Sequence, residues 1–301
     1  MLLRKFREFY TTNYPQDMES QIELFSIFGG LDISLDTSLS THELIKEHIL
    51  SNYYKLKFEI DKKVQKSREA HRLLRAIAKG NRKMFSAFNK SGLSNATGGA
   101  LLKELEENGV LKVEYSRETP HQKTSKHEKL KRELSRYRIS HKLLFVCPYV
   151  RFWYYFIAPH MRELQEAKFD RFLSDIDKRL PIYTSFMFEE LSEILLDYHL
   201  RDGAILSNGS YWDASLEIDI LTIMDSGDIY VAECKWSNHL VTKKELNILL
   251  QKCEMLGIKP TQVVLFSKRG FSNELKKEAG RDLALYEAND FEVLLKPTFS
   301  T

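Results

Sequence analysis

The sequence predicts an α/β C-terminal domain, a mixed sheet flanked by helices, preceded by a helical segment and by three helices that lead into a strand. Three observations predict it. From Ile182 onward a long helical stretch is followed by two alternating strands, a second helix and a buried-looking apolar strand. Residues 1–62 read as helical, with Leu44, Ile45, His48 and Ile49 at helical spacing behind a plausible cap at Thr41. Between them, residues 66–117 run helix, helix, helix, strand.

The elements follow in chain order. Gly29-Gly30 divides the first segment into two pieces. A helix through SREAHRLLRAIAKG ends at Gly80, a second covers Arg82–Asn89, and a third runs from Thr97 to Asn108, where Gly109 is its natural stop. Val110–Tyr115 then alternates as a strand. Three helices and a strand is the order of a winged helix-turn-helix. Its third helix carries Glu104, Glu106 and Glu107 against Lys103, a face that phosphates would repel, so DNA contact and protein contact both stay open. Tyr149, Phe152, Trp153, Tyr154, Tyr155 and Phe156 are too dense within an apolar run for a base-stacking platform and read as packing. Residues 161–180 read as an amphipathic helix and connector closed by Pro181. Further on come a helix at Ile182–His199 and a short strand at Ala204–Ser207. Strands Glu217–Met224 and Ile229–Trp236 flank the turn Asp225–Asp228. A helix at Lys243–Leu256 opens on a Thr242/Glu245 capping box. Strand Gln262–Ser267, helix Ser272–Ala279 and strand Leu283–Tyr286 complete the chain. The expected division is 1–62, 63–142, 143–181 and 182–301.

Composition narrows the function classes. The 301 residues accommodate two or three domains, and 43% hydrophobic with 29% charged residues suits ordinary cores and a water-facing surface. Cys147, Cys234 and Cys253 form no CxxC pair and no zinc-spaced cluster, so reduced thiols in a cytoplasmic protein are expected. The charged N-terminus lacks the apolar core of a signal peptide. Leu143–Ala158 is too short for a bilayer and is interrupted by Pro148 and Arg151, so no membrane span is expected. A net charge of +3 is too small to argue for nucleic acid by itself. The local distribution says more: residues 117–142 hold nine positive and three negative charges. Placed between strands Val110–Tyr115 and Tyr137–Ser140, this stretch would be a long wing tip. Lys123, Lys126, Lys129, Lys131, Arg132 and Arg136 are its candidate phosphate contacts, a solvated loop being the plain alternative.

The chemistry gathers in LEIDILTIMDSGDIYVAECKW. Facing residues of a hairpin have a constant sum, and a turn centred near Ser226 sets Asp219 opposite Glu233. Alternation then puts Lys235 on the face of Glu233, and Glu217 on the face of Asp219, beside Leu221, Ile223, Ile229 and Val231. Two facing carboxylates suit a hard divalent cation, Mg²⁺ or Mn²⁺. A lysine beside the ion can stabilise charge that grows on phosphorus. Cys234 points to the opposite face, which leaves only its carbonyl as a further ligand. The preceding helix offers Glu189, Glu190 and Glu193 as a third acid. Charged strand ends also form plain ion pairs, and helical carboxylates are often merely solvated.

Helix Glu, then D-x(n)-E-x-K across a hairpin, resembles the PD-(D/E)XK nuclease superfamily. More specifically, YRISHKLLFVCPYVRFWYYFIAP, FMFEEL, YWDASLEIDIL, VAECKWS and VVLFSKRGF, spanning 137–271, resemble the domain of unknown function at the C-terminus of archaeal and bacterial DEXX-box (AAA-type) ATPases. FSIFGGLD and HRLLRAIAKG resemble that family's helical lid and winged-helix segments. No G-x-x-x-x-G-K-[ST] occurs, so ATP-driven activity does not carry over. His141 stands where the family tends to have an acid, and Leu144–Pro148 loosens its aromatic segment. The resemblance implies a restriction-endonuclease-like sheet and metal-dependent phosphodiester cleavage. Glu189 would be the helix acid, Asp219 the central metal ligand, and Glu233 and Lys235 the rest of the motif. The expected function is a Mg²⁺-dependent DNA endonuclease positioned by a winged helix. The alternative is a catalytically silent nuclease fold that binds DNA, regulates, or docks a separate ATPase.

Overall fold

In the computed structural model the described residues are 1–65, 67–119 and 138–296. The six candidate phosphate contacts between Lys123 and Arg136 lie outside them.

The N-terminal part is helical, as expected. Helix α1 spans Leu2–Asn13 and α2 spans Met18–Phe28, the latter capped by Asp17, whose side chain accepts the Ser20 N–H at 2.7 Å. Helix α2 is buried along most of its length and sits at the centre of this part. The chain then turns at Gly30, where φ is +92° and a Cβ would fall 2.4 Å from Cys147 Sγ; only glycine fits there. Helix α3, Thr41–Leu44, continues as a π-helical stretch, Ile45–Leu50, and α4 covers Tyr53–Lys63. The cap of α3 is Ser40, in a capping box with Glu43, one residue before the expected Thr41. Thr41 Oγ1 instead donates to Glu23 at 3.2 Å.

Helices α5 (Arg68–Lys79), α6 (Met84–Ser91) and α7 (Asn95–Glu107) lead into β1 (Leu111–Glu114) in the expected order. Strand β1 pairs antiparallel with β2, Lys142–Phe145, Leu111 facing Phe145. Among the described residues of the expected strand Tyr137–Ser140, those at 138–140 form no ladder, and the returning strand lies further on. The polar groups of Ser140 are engaged elsewhere: its hydroxyl accepts the Phe85 N–H at 3.2 Å and its carbonyl the Trp212 indole N–H at 2.8 Å.

The aromatic run forms α8, Pro148–Phe152, and a π-helical extension, Trp153–Ile157, and every one of its aromatic rings is buried. Helix α9 is short, Met161–Gln165. Helix α10 is 31 residues long, Asp170–Leu200, and passes straight through Pro181. The expected stop at Pro181 is thus overturned. An interior proline forfeits one backbone bond and costs about 3 kcal/mol. Burial of Leu180, Tyr183, Met187, Phe188 and Leu191 along the same helix outweighs that loss.

The C-terminal part is a five-stranded mixed sheet flanked by helices. Its strands are β3 (Ile205–Ser207), β6 (Ile220–Met224), β7 (Ile229–Lys235), β8 (Gln262–Ser267) and β9 (Leu283–Glu287), in that spatial order. The first three run antiparallel, whereas β7, β8 and β9 are parallel, crossing over through α11 (Lys243–Leu256) and α12 (Asn273–Glu278). The expected strand Glu217–Met224 is split at Asp219, and its first part, β5 (Glu217–Ile218), pairs beside the sheet with β4 (Tyr211–Trp212), which the sequence reading lacked. One face, with Ile220, Ala232, Cys234, Val264 and Phe266, joins α10 and the N-terminal helices in a single apolar core. The other, with Leu221, Val231 and Leu265, packs on Leu246, Leu249 and Cys253 of α11.

Two of the nine positive charges assigned to the wing are structural. Arg117 Nη1 donates to Ser207 Oγ at 2.7 Å and to the Leu221 carbonyl at 2.8 Å, while Nη2 donates to the Gly209 and Ser210 carbonyls. Lys142 is buried, paired with Glu217 at 2.5 Å, and lies over the Trp212 ring. Arg117→Ala should therefore lower unfolding free energy by about 3 kcal/mol in urea titrations. Arg117→Lys should recover only part of it, since an ammonium cannot fork between two strands. Equal stability of all three proteins would show that this clamp contributes nothing.

Candidate metal and phosphodiester site

The β6–β7 register is the one that a turn centred at Ser226 demands: Ile220 faces Ala232, Leu221 faces Val231, and Ile223 faces Ile229. One step further the ladder stops. Asp219 forms a bend between β5 and β6, at the point where the strand leaves the main sheet for the β4–β5 pair. Asp219 stays tied to β7, because its Oδ2 accepts the Cys234 N–H at 2.8 Å. No other hydrogen bond to its carboxylate is present among the described residues.

Glu233 is buried, with only 8% of its surface exposed. Its two oxygens are both engaged by ammonium groups: Lys235 Nζ lies 2.6 Å from Oε1, and Lys252 Nζ lies 2.9 Å from Oε2. Lys252 escaped the sequence reading. The signal was present, since Leu246, Leu249 and Cys253 form the inward stripe of α11 and Lys252 flanks it.

Glu189 comes from α10 and faces the same bend from the other side. Its Oε2 pairs with Arg82 Nη2 at 3.4 Å. Glu189, Glu190, Glu193 and Asp219 line one cleft of about 110 Å³, together with Glu114 and Lys112. All three helix acids therefore reach this cleft. Glu190 pairs with Lys112 at 3.6 Å, and Glu193 accepts a hydrogen bond from Asn208 at 3.4 Å. Glu217 does not join the group as the alternation had suggested. The bend at Asp219 carries it into the β4–β5 pair, where Lys142 takes it.

Proton affinities record the crowding. Burial, then the charges of Glu233 and Glu189, push Asp219 up to about 7, against the opposing pull of the Cys234 N–H and Lys235. Burial also raises Glu189, opposed by Arg82 and Lys142. Burial works to lower Lys235, but the neighbouring Glu233 outweighs it and the net shift is upward, so its ammonium persists. Burial holds the Cys234 thiol well above its usual range.

Among the described residues, no three His, Cys, Asp or Glu side chains are grouped closely enough to hold an ion. Any fit rests on a smaller set, Asp219 and Glu233, with Glu189 behind them. On donor chemistry that set suits a hard dication. It is all oxygen, and both the burial of Asp219 and its repulsion by Glu233 and Glu189 are what a divalent charge would offset.

Comparison with known proteins agrees with the sequence resemblance at a coarse level. Residues 153–249 match the DUF234 family model, described as archaeal and bacterial proteins of unknown function. The matched stretch holds Glu189, Asp219, Glu233 and Lys235 and ends before Lys252. No curated protein matches the chain. Among solved structures, protein VC1899 from Vibrio cholerae aligns at 14% identity with a TM-score of 0.30, covering 82% of this chain. This chain spans 51% of that one.

The cleft makes a pH prediction. Burial, then Glu114 and Asp197, raise Glu193 from 4.5 to about 7. A carboxyl whose folded pKa is raised favours the folded state below its unfolded pKa, and that benefit is lost as pH rises towards 7. Glu193→Gln keeps the oxygen that Asn208 donates to and removes the charge. Its melting temperature should gain on that of the unaltered protein between pH 5 and pH 8. A constant gap across that range would place Glu193 in an ordinary solvated setting.

Proposed function

We propose that the C-terminal part of this chain is a divalent-metal-dependent phosphodiesterase of the PD-(D/E)XK kind that cuts DNA. The observation that carries the reading is the convergence of Asp219, Glu233 and Lys235 on one strand break, with the Glu189 helix acid close enough to perturb Asp219. The order of helix, strand hairpin, helix and parallel strand around this break supports the restriction-endonuclease-like assignment.

Asp219 and Glu233 would hold a Mg²⁺ or Mn²⁺ ion, with the Cys234 carbonyl as a further oxygen donor and Glu189 as the outlying acid. Such an ion supplies a Lewis acid for the phosphoryl oxygen and an acidified water. The chain's own contribution is positional and electrostatic. The Cys234 amide fixes the Asp219 carboxylate, and the buried walls keep the site in a low-dielectric surrounding. Lys235 Nζ retains its proton beside Glu233 and is available to the charge that develops on the phosphate.

The helices α5–α7 and the β1–β2 ribbon support the winged-helix reading of residues 63–142, which would set the site on DNA. In this reading the basic residues 123–136 add affinity without sequence preference, while Arg117 and Lys142 serve the fold. One observation favours a second reading, a silent nuclease fold: both Glu233 oxygens are engaged by lysines. The acidic face of α7 suits a module that docks a separate ATPase.

Lys235→Ala should cut the rate of Mg²⁺-dependent cleavage of plasmid or branched DNA about a hundredfold, ~3 kcal/mol in the barrier. Its fold and DNA affinity should persist. An unaltered protein that is folded and metal-loaded yet leaves DNA intact in this assay would support the silent fold. Separately, neutralising Lys126, Lys129, Lys131 and Arg132 together should weaken DNA binding and flatten its dependence on salt. An unchanged salt slope would remove the basic stretch from the interface.

A further inference from the structure

Glu233 carries one negative charge and two ammonium partners. The two lysines are not equivalent. Lys235 belongs to β7 with Glu233, two residues away, so the strand itself fixes their separation. Lys252 arrives from a different element, α11, whose position is set by the burial of Leu249 and Cys253. Its side chain is 22% exposed, less than the 39% of Lys235, but because it comes from another element a rotamer change can take its ammonium off Glu233 without disturbing β7.

A dication that takes an oxygen of Glu233 meets a charge problem. The carboxylate would then face four positive charges, two from the ion and one from each lysine. Asp219 and Glu189 offset part of that charge, and withdrawal of one ammonium offsets the rest; the proposed chemistry keeps Lys235 at the site, so Lys252 is the one that withdraws. Its contact is also the direct competitor for the ion, since Nζ lies 2.9 Å from Oε2.

We propose that Lys252 is an internal stand-in for the metal: its ammonium neutralises Glu233 in the metal-free protein and gives up Oε2 when the dication binds. The inference rests on the metal site of the proposed function and adds a residue and a role that the D-x(n)-E-x-K pattern does not contain. The lysine holds a buried carboxylate in place by pairing with it, and competes with the ion for the same oxygen.

The test is Mn²⁺ binding to the full chain, followed by the electron paramagnetic resonance of the free ion, with melting curves recorded in EDTA and in Mn²⁺. Lys252→Met keeps most of the apolar stem and removes the charge. It should bind Mn²⁺ about tenfold more tightly than the unaltered protein, as loss of one competing ion pair implies. It should melt lower in EDTA and gain more than the unaltered protein when Mn²⁺ is added. Lys252→Gln still donates a hydrogen bond but carries no charge, and the same gain in affinity is expected of it should the methionine variant fail to fold. Asp219→Asn and Glu233→Gln serve as controls that lose binding. If the unaltered protein binds Mn²⁺ through those two acids while both Lys252 variants bind it equally or more weakly, the stand-in role is wrong and the metal site stands. If the unaltered protein binds no Mn²⁺, both ideas are overturned.

Discussion

A carboxylate buried at the end of a central strand constrains everything around it. Removing Glu233 from water costs several kcal/mol unless its charge is balanced where it sits. The chain balances it from two directions, with Lys235 on the same strand and Lys252 on the helix that covers that face. The consequence spreads to Asp219. It is bent towards the same place and bonded to the neighbouring amide, and burial, with the charges of Glu233 and Glu189 behind it, holds its proton to about 7. Like charges are kept together in a poorly solvated corner, against the ordinary tendency of folding to separate them. Sites with that property are where chemistry is found more often than elsewhere.

The remainder of the fold holds this corner rigid. Helix α10 carries Glu189 and packs, through one continuous apolar core, on both the N-terminal helices and the sheet. The aromatic run of α8 and its π-helical extension packs between the N-terminal helices and α10, with Trp153 stacked on Tyr53 and Phe152, Tyr155 and Phe156 against Tyr183. Arg117 and Lys142 fasten the β1–β2 region to the loop before β6, so the rim of the cleft is attached at two points to the sheet edge. The acids on α10 then reach the cleft as a row, and the cleft is far more acidic than a two-carboxylate centre needs.

Much of this was legible in the sequence, for identifiable reasons. The hairpin register followed from a turn with Gly227 and strict alternation on both sides, and the observed pairs obey it. The span of α11 and its capping box followed from Thr242 and Glu245. The course of α10 did not follow, because an interior proline is a local stop signal that only tertiary burial can override. The returning strand was misplaced because Ser140 serves a helix and an indole rather than a ladder. Glu217 was misassigned because alternation assumes an unbroken strand, and the bend at Asp219 breaks it. Lys252 was overlooked because a motif read along one hairpin says nothing about the helix that lies across it. Arg117 and Lys142 were counted as free charge because local composition cannot tell a solvated lysine from one buried against Trp212.

The central claim is that Asp219 and Glu233 form one divalent-cation site. Crystals soaked in Mn²⁺ and measured at the manganese absorption edge test it directly. The account predicts an anomalous peak with oxygens of both carboxylates within about 2.5 Å. A peak held only by Glu190, Glu193 or Glu114, or no peak beside a Glu233 still bound to both lysines, would contradict it.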